Sequence, residues 1–150
     1  IFTSFEKNVG NEDSMIFILA TVQENLDEHL ESTEEQYMSV VFFAGGWTEG
    51  MYVGSKVAES GNHNITVRLV EQMVILENMI AALEQYPHKS NELDNVVADF
   101  KEIDNMYQNF ESIKNQDKNN ISLDQIKLTD EELKTLTEKI SGLRTKIVNG

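Results

Sequence analysis

Apolar residues recur at intervals of three and four through four stretches of this chain, and a fifth is apolar throughout most of its length. On a helix of 3.6 residues per turn that spacing gathers them into one stripe, which must be covered by another element. Ile16, Leu19, Val22, Leu26 and Leu30 mark a helix from about Glu12 to Leu30. Ile65, Leu69, Met73, Leu76, Ile80 and Leu83 mark one from about His63 to Tyr86, where Pro87 stops it. Leu93, Val96, Phe100, Ile103, Tyr107, Phe110 and Ile113 mark a third from about Ser90 to Asn115. Leu133, Leu136, Ile140, Leu143 and Ile147 form a coiled-coil-like seam near the end.

The remaining stretch, roughly Glu34 to Ser60, is apolar but carries glycines. Gly46, Gly50 and Gly54 stand four apart and Ala58 continues the series, with Gly45 alongside. A glycine inside a helix is less favourable than alanine by roughly 1 kcal/mol. The row without side chains therefore reads as a ridge for close helix packing, buried inside the fold. On that reading, leucine at Gly50 pushes a neighbouring helix away and destabilises the protein.

Local signals agree with these boundaries. Thr3-Ser4-Phe5-Glu6 and Ser32-Thr33-Glu34-Glu35 have the form of capping boxes, and Gly61 is placed as a left-handed helix end. Thr129 with Glu132 makes the sharpest start, with Leu128 able to staple against Leu133. Connections of a few residues make successive helices antiparallel neighbours. Lys114 to Lys127 is the one long polar connection, which Ile121, Leu123 and Ile126 can pin to the surface. The expectation is an all-α fold: one up-and-down bundle of about five amphipathic helices spanning residues 1–150, with no domain boundary.

The formal charge is −14, from 12 basic and 26 acidic residues. That excludes the basic footprint needed for nucleic acid and leaves room for a basic protein partner or a cation. No Lys or Arg lies between Lys7 and Lys56, and Glu24, Asp27, Glu28, Glu31, Glu34 and Glu35 cluster around the first helix–helix turn as an acidic patch. The least polar run, Met38 to Val53, is too short and too polar to span a membrane. The start at Ile1 reads as a mature form or a fragment.

No catalytic pattern emerges. Cysteine is absent, which removes thiolate chemistry, disulfides and zinc–thiolate sites. A di-iron bundle needs Glu-x-x-His, but the residues three before His29, His63 and His88 are Leu26, Ser60 and Gln85. Asp117 to Ser122 begins like a calcium loop and then lacks its glycine. Phosphate-binding loops and hydrolase or metalloprotease motifs are missing. The expectation is therefore no metal, no cofactor and no enzymatic activity.

One carboxylate stands out. Glu49 lies in the apolar run Trp47-Thr48-Glu49-Gly50-Met51-Tyr52, where it needs a partner or a cavity. Antiparallel pairing about Gly61-Asn62 sets it level with Gln72 to Val74, so Gln72 can be its hydrogen-bond partner, with a surface glutamate as the plain alternative. Trp47, Glu49, Tyr52 and Gln72 are thus the candidate lining of a small-ligand or cation-sensing pocket. The leading expectation remains a non-enzymatic binding or structural module.

The run Gly45 to Tyr52, and the end from Leu133 to Val148 with Arg144 near its close, resemble segments of a family of all-helical exported bacterial lipoproteins. The resemblance implies a cell-envelope or periplasmic protein, with a lipid anchor on a cysteine that this chain does not contain. It brings no assigned activity and no catalytic residue.

Overall fold

The computed structural model describes residues 7–8, 10–32, 37–86, 90–114 and 126–149. They form α1 (Glu12–Ser32), α2 (Tyr37–Glu59), α3 (His63–Glu84), α4 (Asn91–Asn109), the single turn α5 (Glu111–Lys114) and α6 (Asp130–Asn149). The protein is an all-α bundle, with no strand among the described residues. The chain divides into two compact units, Ile1–Phe42 and Phe43–Gly150. The division falls within α2, not at a linker.

The first unit is built on α1. Gly10 takes the left-handed conformation (φ +96°) that turns the chain into the helix. Asn11 then caps it, its side-chain oxygen accepting from the Ser14 N–H at 3.0 Å. Of the predicted stripe, Leu30 is buried and Val22 and Leu26 are half-buried. Ile16 and Leu19 are 59% and 56% exposed, so the stripe is covered only toward its C-terminal end. The two capping boxes at Thr3–Glu6 and Ser32–Glu35 fall wholly or partly outside the described residues.

The second unit holds the main core. Gly61 is left-handed (φ +96°), as its place after α2 predicts, and its N–H reaches the Ala58 carbonyl at 3.0 Å. Ser90 caps α4 by accepting from the Leu93 N–H at 3.1 Å. Thr129 and Glu132 form the predicted reciprocal box: the Thr129 N–H donates to Glu132 Oε2 at 2.8 Å, and the Glu132 N–H donates to Thr129 Oγ1 at 3.2 Å. Leu128 and Leu133 are both buried beside it.

Pairings across the helices fix their directions. Lys101 pairs with Glu84, and further along α4 the Gln108 amide donates to Glu77, earlier in α3, at 2.9 Å. Glu102 pairs with Lys139, while Asp99, earlier in α4, pairs with Lys146, later in α6. Both pairs of helices are therefore antiparallel. Val70 and Leu76 of α3, Phe100, Ile103 and Tyr107 of α4, and Leu136 and Ile140 of α6 are sealed from solvent at the centre.

Two details depart from the sequence reading. The fourth predicted helix breaks at Phe110, which is extended (φ −61°, ψ 131°). The break lets Phe110 and Ile113 both be buried, and the Ser112 N–H beyond it is taken by Glu132 Oε1 at 3.1 Å. The seam of α6 is buried from Leu133 to Leu143, but Ile147 is 39% exposed.

The larger correction concerns the glycines. Ala44, Trp47, Thr48, Met51, Ser55 and Ala58 form the buried face of α2. Gly46 and Gly50 are exposed, and a Cβ on either would meet no atom within 4 Å. Only at Gly54 would a Cβ touch a neighbouring helix, at 3.2 Å from Leu69 Cδ2. The reason is geometric. A step of four overshoots a 3.6-residue turn by about 40°. The row therefore winds from the open side at Gly46 and Gly50, past Gly54, to the buried Ala58. The surface that packs inward is small because it carries Ala44, Thr48, Ser55 and Ala58, not because it carries the glycine row.

Candidate functional site

Glu49 is exposed and does not pair with Gln72. The α2–α3 register is the one predicted, since Gly54 lies against Leu69 and Ile65 about the turn at Gly61. Glu49, however, is five residues before Gly54 and so projects to another side of α2. There it accepts from Arg144 Nε of α6 at 2.7 Å. The Arg144 guanidinium also lies 4.7 Å from the centre of the Tyr52 ring, a cation–π contact. The hydrogen bond to Glu49 holds the Arg144 pKa above its ordinary value, burial works against the rise, and the Glu49 charge adds to it.

Trp47 faces inward. Its ring meets Phe100 edge-on, with centroids 5.8 Å apart and planes at 80°. Its indole Nε1 is buried without a hydrogen-bond partner. Thr48 is buried beside it and satisfied within its own helix, its hydroxyl donating to the Ala44 carbonyl at 2.8 Å. Gln72 is half-buried on α3. Of the four candidate residues, Arg144 joins Glu49 and Tyr52, while Trp47 points into the core. A cavity of about 280 Å³ lies elsewhere, at one end of α3 and α4, among Leu83, Glu84, Tyr86, Leu93, Val97 and Lys101.

No motif in the sequence marks Arg144 as a partner for Glu49. Its signal is positional, because it follows Leu143 directly and so flanks the seam of α6, where a charge must meet whatever packs there. Lys139 and Lys146 flank the same helix and pair with Glu102 and Asp99 of α4. The Lys146 ammonium lies 2.7 and 2.8 Å from the two Asp99 oxygens, and Asp99 is buried. Lys139, Arg144 and Lys146 are thus each matched by a carboxylate of α2 or α4, while Lys134, the fourth cation of α6, faces Glu138 of its own helix at 4.0 Å.

Two titratable groups depart from ordinary behaviour. Burial raises the Asp104 carboxyl above the usual range, against a lowering bond from Gln108, and its Oδ1 is buried without a partner. For Glu132 burial acts upward, but the hydrogen bonds from Thr129 and Ser112 outweigh it and hold the carboxyl below the usual range. Among the described residues no group of three His, Asp or Glu could hold a metal ion.

In the first unit, Glu24, Asp27, Glu28 and Glu31 are exposed on α1 at spacings that share one face. Asp27 accepts from the Ser39 hydroxyl at 2.7 Å. Glu34 and Glu35 lie outside the described residues. No helix among the described residues is long and apolar enough to cross a membrane.

No protein-family model, curated protein or solved structure matches the chain.

Proposed function

We propose that the protein is a non-enzymatic binding or structural module presented on a helical bundle. The observation that carries this reading is the outer face of α2. Phe43, Val53 and Val57 are 54%, 57% and 39% exposed there, in line with the exposed Gly46 and Gly50. A monomeric surface does not need a contiguous apolar stripe of this kind, and such stripes mark interaction sites. The charges beside the stripe are already matched, Glu49 by Arg144 and Lys56 by Glu59. The acidic face of α1, in the first unit, is a separate surface that would suit a basic protein partner. Export and a lipid anchor in a bacterial envelope are part of the proposal and rest on the resemblance of Gly45–Tyr52 and Leu133–Val148 alone.

A second reading, a small-ligand or cation sensor near Trp47, Glu49 and Tyr52, is favoured by the unpartnered indole nitrogen of Trp47. Trp47 is the single tryptophan, so its fluorescence separates the two readings. The module predicts no saturable change across a panel of metabolites and divalent cations. A saturable change abolished by Glu49→Gln would overturn it in favour of the sensor.

A further inference from the structure

The outer stripe of α2 has a shape that specifies more than stickiness. Phe43, Gly46, Gly50, Val53 and Val57 follow one another at 3-4-3-4, the spacing of a coiled-coil seam. In heptad terms Phe43, Gly50 and Val57 share one core position, while Gly46 and Val53 share the other. All five are exposed, and Gly46 and Gly50 meet nothing in their own chain that would use the space they leave. We propose that this stripe is a self-association surface, on which a second copy of the chain docks antiparallel through the same residues. The proposal rests on the binding-module reading and names its partner.

The register follows from the side chains. When Val53 of one copy faces Gly50 of the other, Val57 faces Gly46, and two-fold symmetry repeats both contacts. Each valine then enters the hole left by a glycine, and the two backbones approach closely. Glu49 and Lys56 lie on one flank of the stripe, seven residues apart. In this same register Glu49 of each copy falls opposite Lys56 of the other, twice over. Both side chains are about half exposed, so each can reach across while keeping its present partner, Arg144 or Glu59. A parallel pairing would set glycine against glycine and valine against valine and would match no charges.

The area sets the strength. The uncovered parts of Phe43, Val53 and Val57 with the two glycines come to roughly 350 Å² per copy for side chains of this size. Two copies therefore bury about 700 Å², short of the ~1,200 Å² of a stable complex. The dimer is weak and concentration-dependent, and the negative charge of the chain makes added salt favour it.

Sedimentation velocity on the full chain from about 1 µM to about 1 mM tests this, with dissociation expected near or above the micromolar range. Val53→Lys is expected to weaken association at least tenfold, while Val74→Lys, at an exposed valine outside the stripe, leaves it unchanged. Gly50→Leu is expected to weaken it as well, because leucine fills the hole that the opposing Val53 needs. The chain lacks cysteine, so mixing Gly50→Cys and Val53→Cys chains under mild oxidation should yield the mixed disulfide in preference to either self-pair. A monomer at every concentration, equal effects of Val53→Lys and Val74→Lys, or strengthening by Gly50→Leu each overturns the proposal. A monomer would leave the binding-module reading to stand or fall on the Trp47 titration.

Discussion

Arg144 Nε meets Glu49 Oε1 at 2.7 Å, joining residues 95 apart in the chain and tying α6 to α2. The guanidinium lies over Tyr52 at the same time, so one side chain of α6 grips two residues of α2 through different chemistry. Arg144→Ala removes both contacts and Glu49→Gln only the ion pair. Urea unfolding should therefore place the midpoints in the order wild type, Glu49→Gln, Arg144→Ala. Arg144→Lys should fall near the alanine variant, since lysine loses the planar stacking and the directed hydrogen bond. The pair is partly exposed, so raising the salt concentration narrows the gap between wild type and Glu49→Gln.

The glycines of α2 divide by what surrounds them. Gly50→Ala adds a methyl group that meets nothing. It should stabilise the dilute monomer by up to about 1 kcal/mol through helix propensity. Gly54→Leu should destabilise it by about 1–3 kcal/mol, since its first carbon already lies 3.2 Å from Leu69 Cδ2. Thermal unfolding of both variants at low concentration checks the contrast. A destabilised Gly50→Ala would restore the buried ridge expected from spacing alone.

Glu132 supports two helices, capping α6 through Thr129 and holding the Ser112 N–H beyond the break in α4. Glu132→Ala should cost about 1 kcal/mol, with the loss of a cap as the main effect. The folded-state pKa is lowered, so the stabilisation is present above the ordinary glutamate range and is lost as pH falls through the folded value. Stability measured from neutral pH into the acid range should drop less steeply in Glu132→Gln than in wild type.

Asp104 carries the opposite sign. Burial raises its carboxyl and leaves one oxygen without a partner, so the ionised form is held at a disadvantage in the folded state. That disadvantage is present at neutral pH and disappears as pH falls through the raised folded value. Asp104→Asn should raise the melting temperature at pH 7 and change it little in acid.

Tyr107 is fully buried and its hydroxyl donates to the Leu69 carbonyl at 2.8 Å. Burial pushes the phenol well above its ordinary range. Tyr107→Phe should lose about 1 kcal/mol, the net value of one buried hydrogen bond. In wild type, phenolate absorbance from this ring should appear only with unfolding.

Much of the second unit is legible in spacing and caps. The stripes of α3, α4 and α6, the left-handed Gly61 and the Thr129–Glu132 box are local signals, and local geometry decides them. The glycine row is a different kind of signal. Spacing of four says that residues are neighbours on a helix, but α2 is apolar nearly all round, so periodicity does not say which side faces inward. Glu49 fails to meet Gln72 for the same reason: the register along α2 and α3 was readable, but the rotation of α2 about its own axis was not. That rotation is set by long-range partners, Phe100 against Trp47 and Arg144 against Glu49. The uncovered outer stripe, on which the functional proposal rests, follows from it.

The rotation of α2 is therefore the point to measure. Single cysteines placed in turn from residue 43 to residue 58 of this cysteine-free chain, at low micromolar concentration, report exposure by their rate of reaction with a thiol reagent. Fast labelling is predicted at 43, 46, 50, 53 and 57, and strong protection at 44, 48, 51, 55 and 58. Protection at 46 and 50 equal to that at 51 and 55 would mean that the glycine face is buried, and would contradict both the fold of α2 and the binding surface proposed on it.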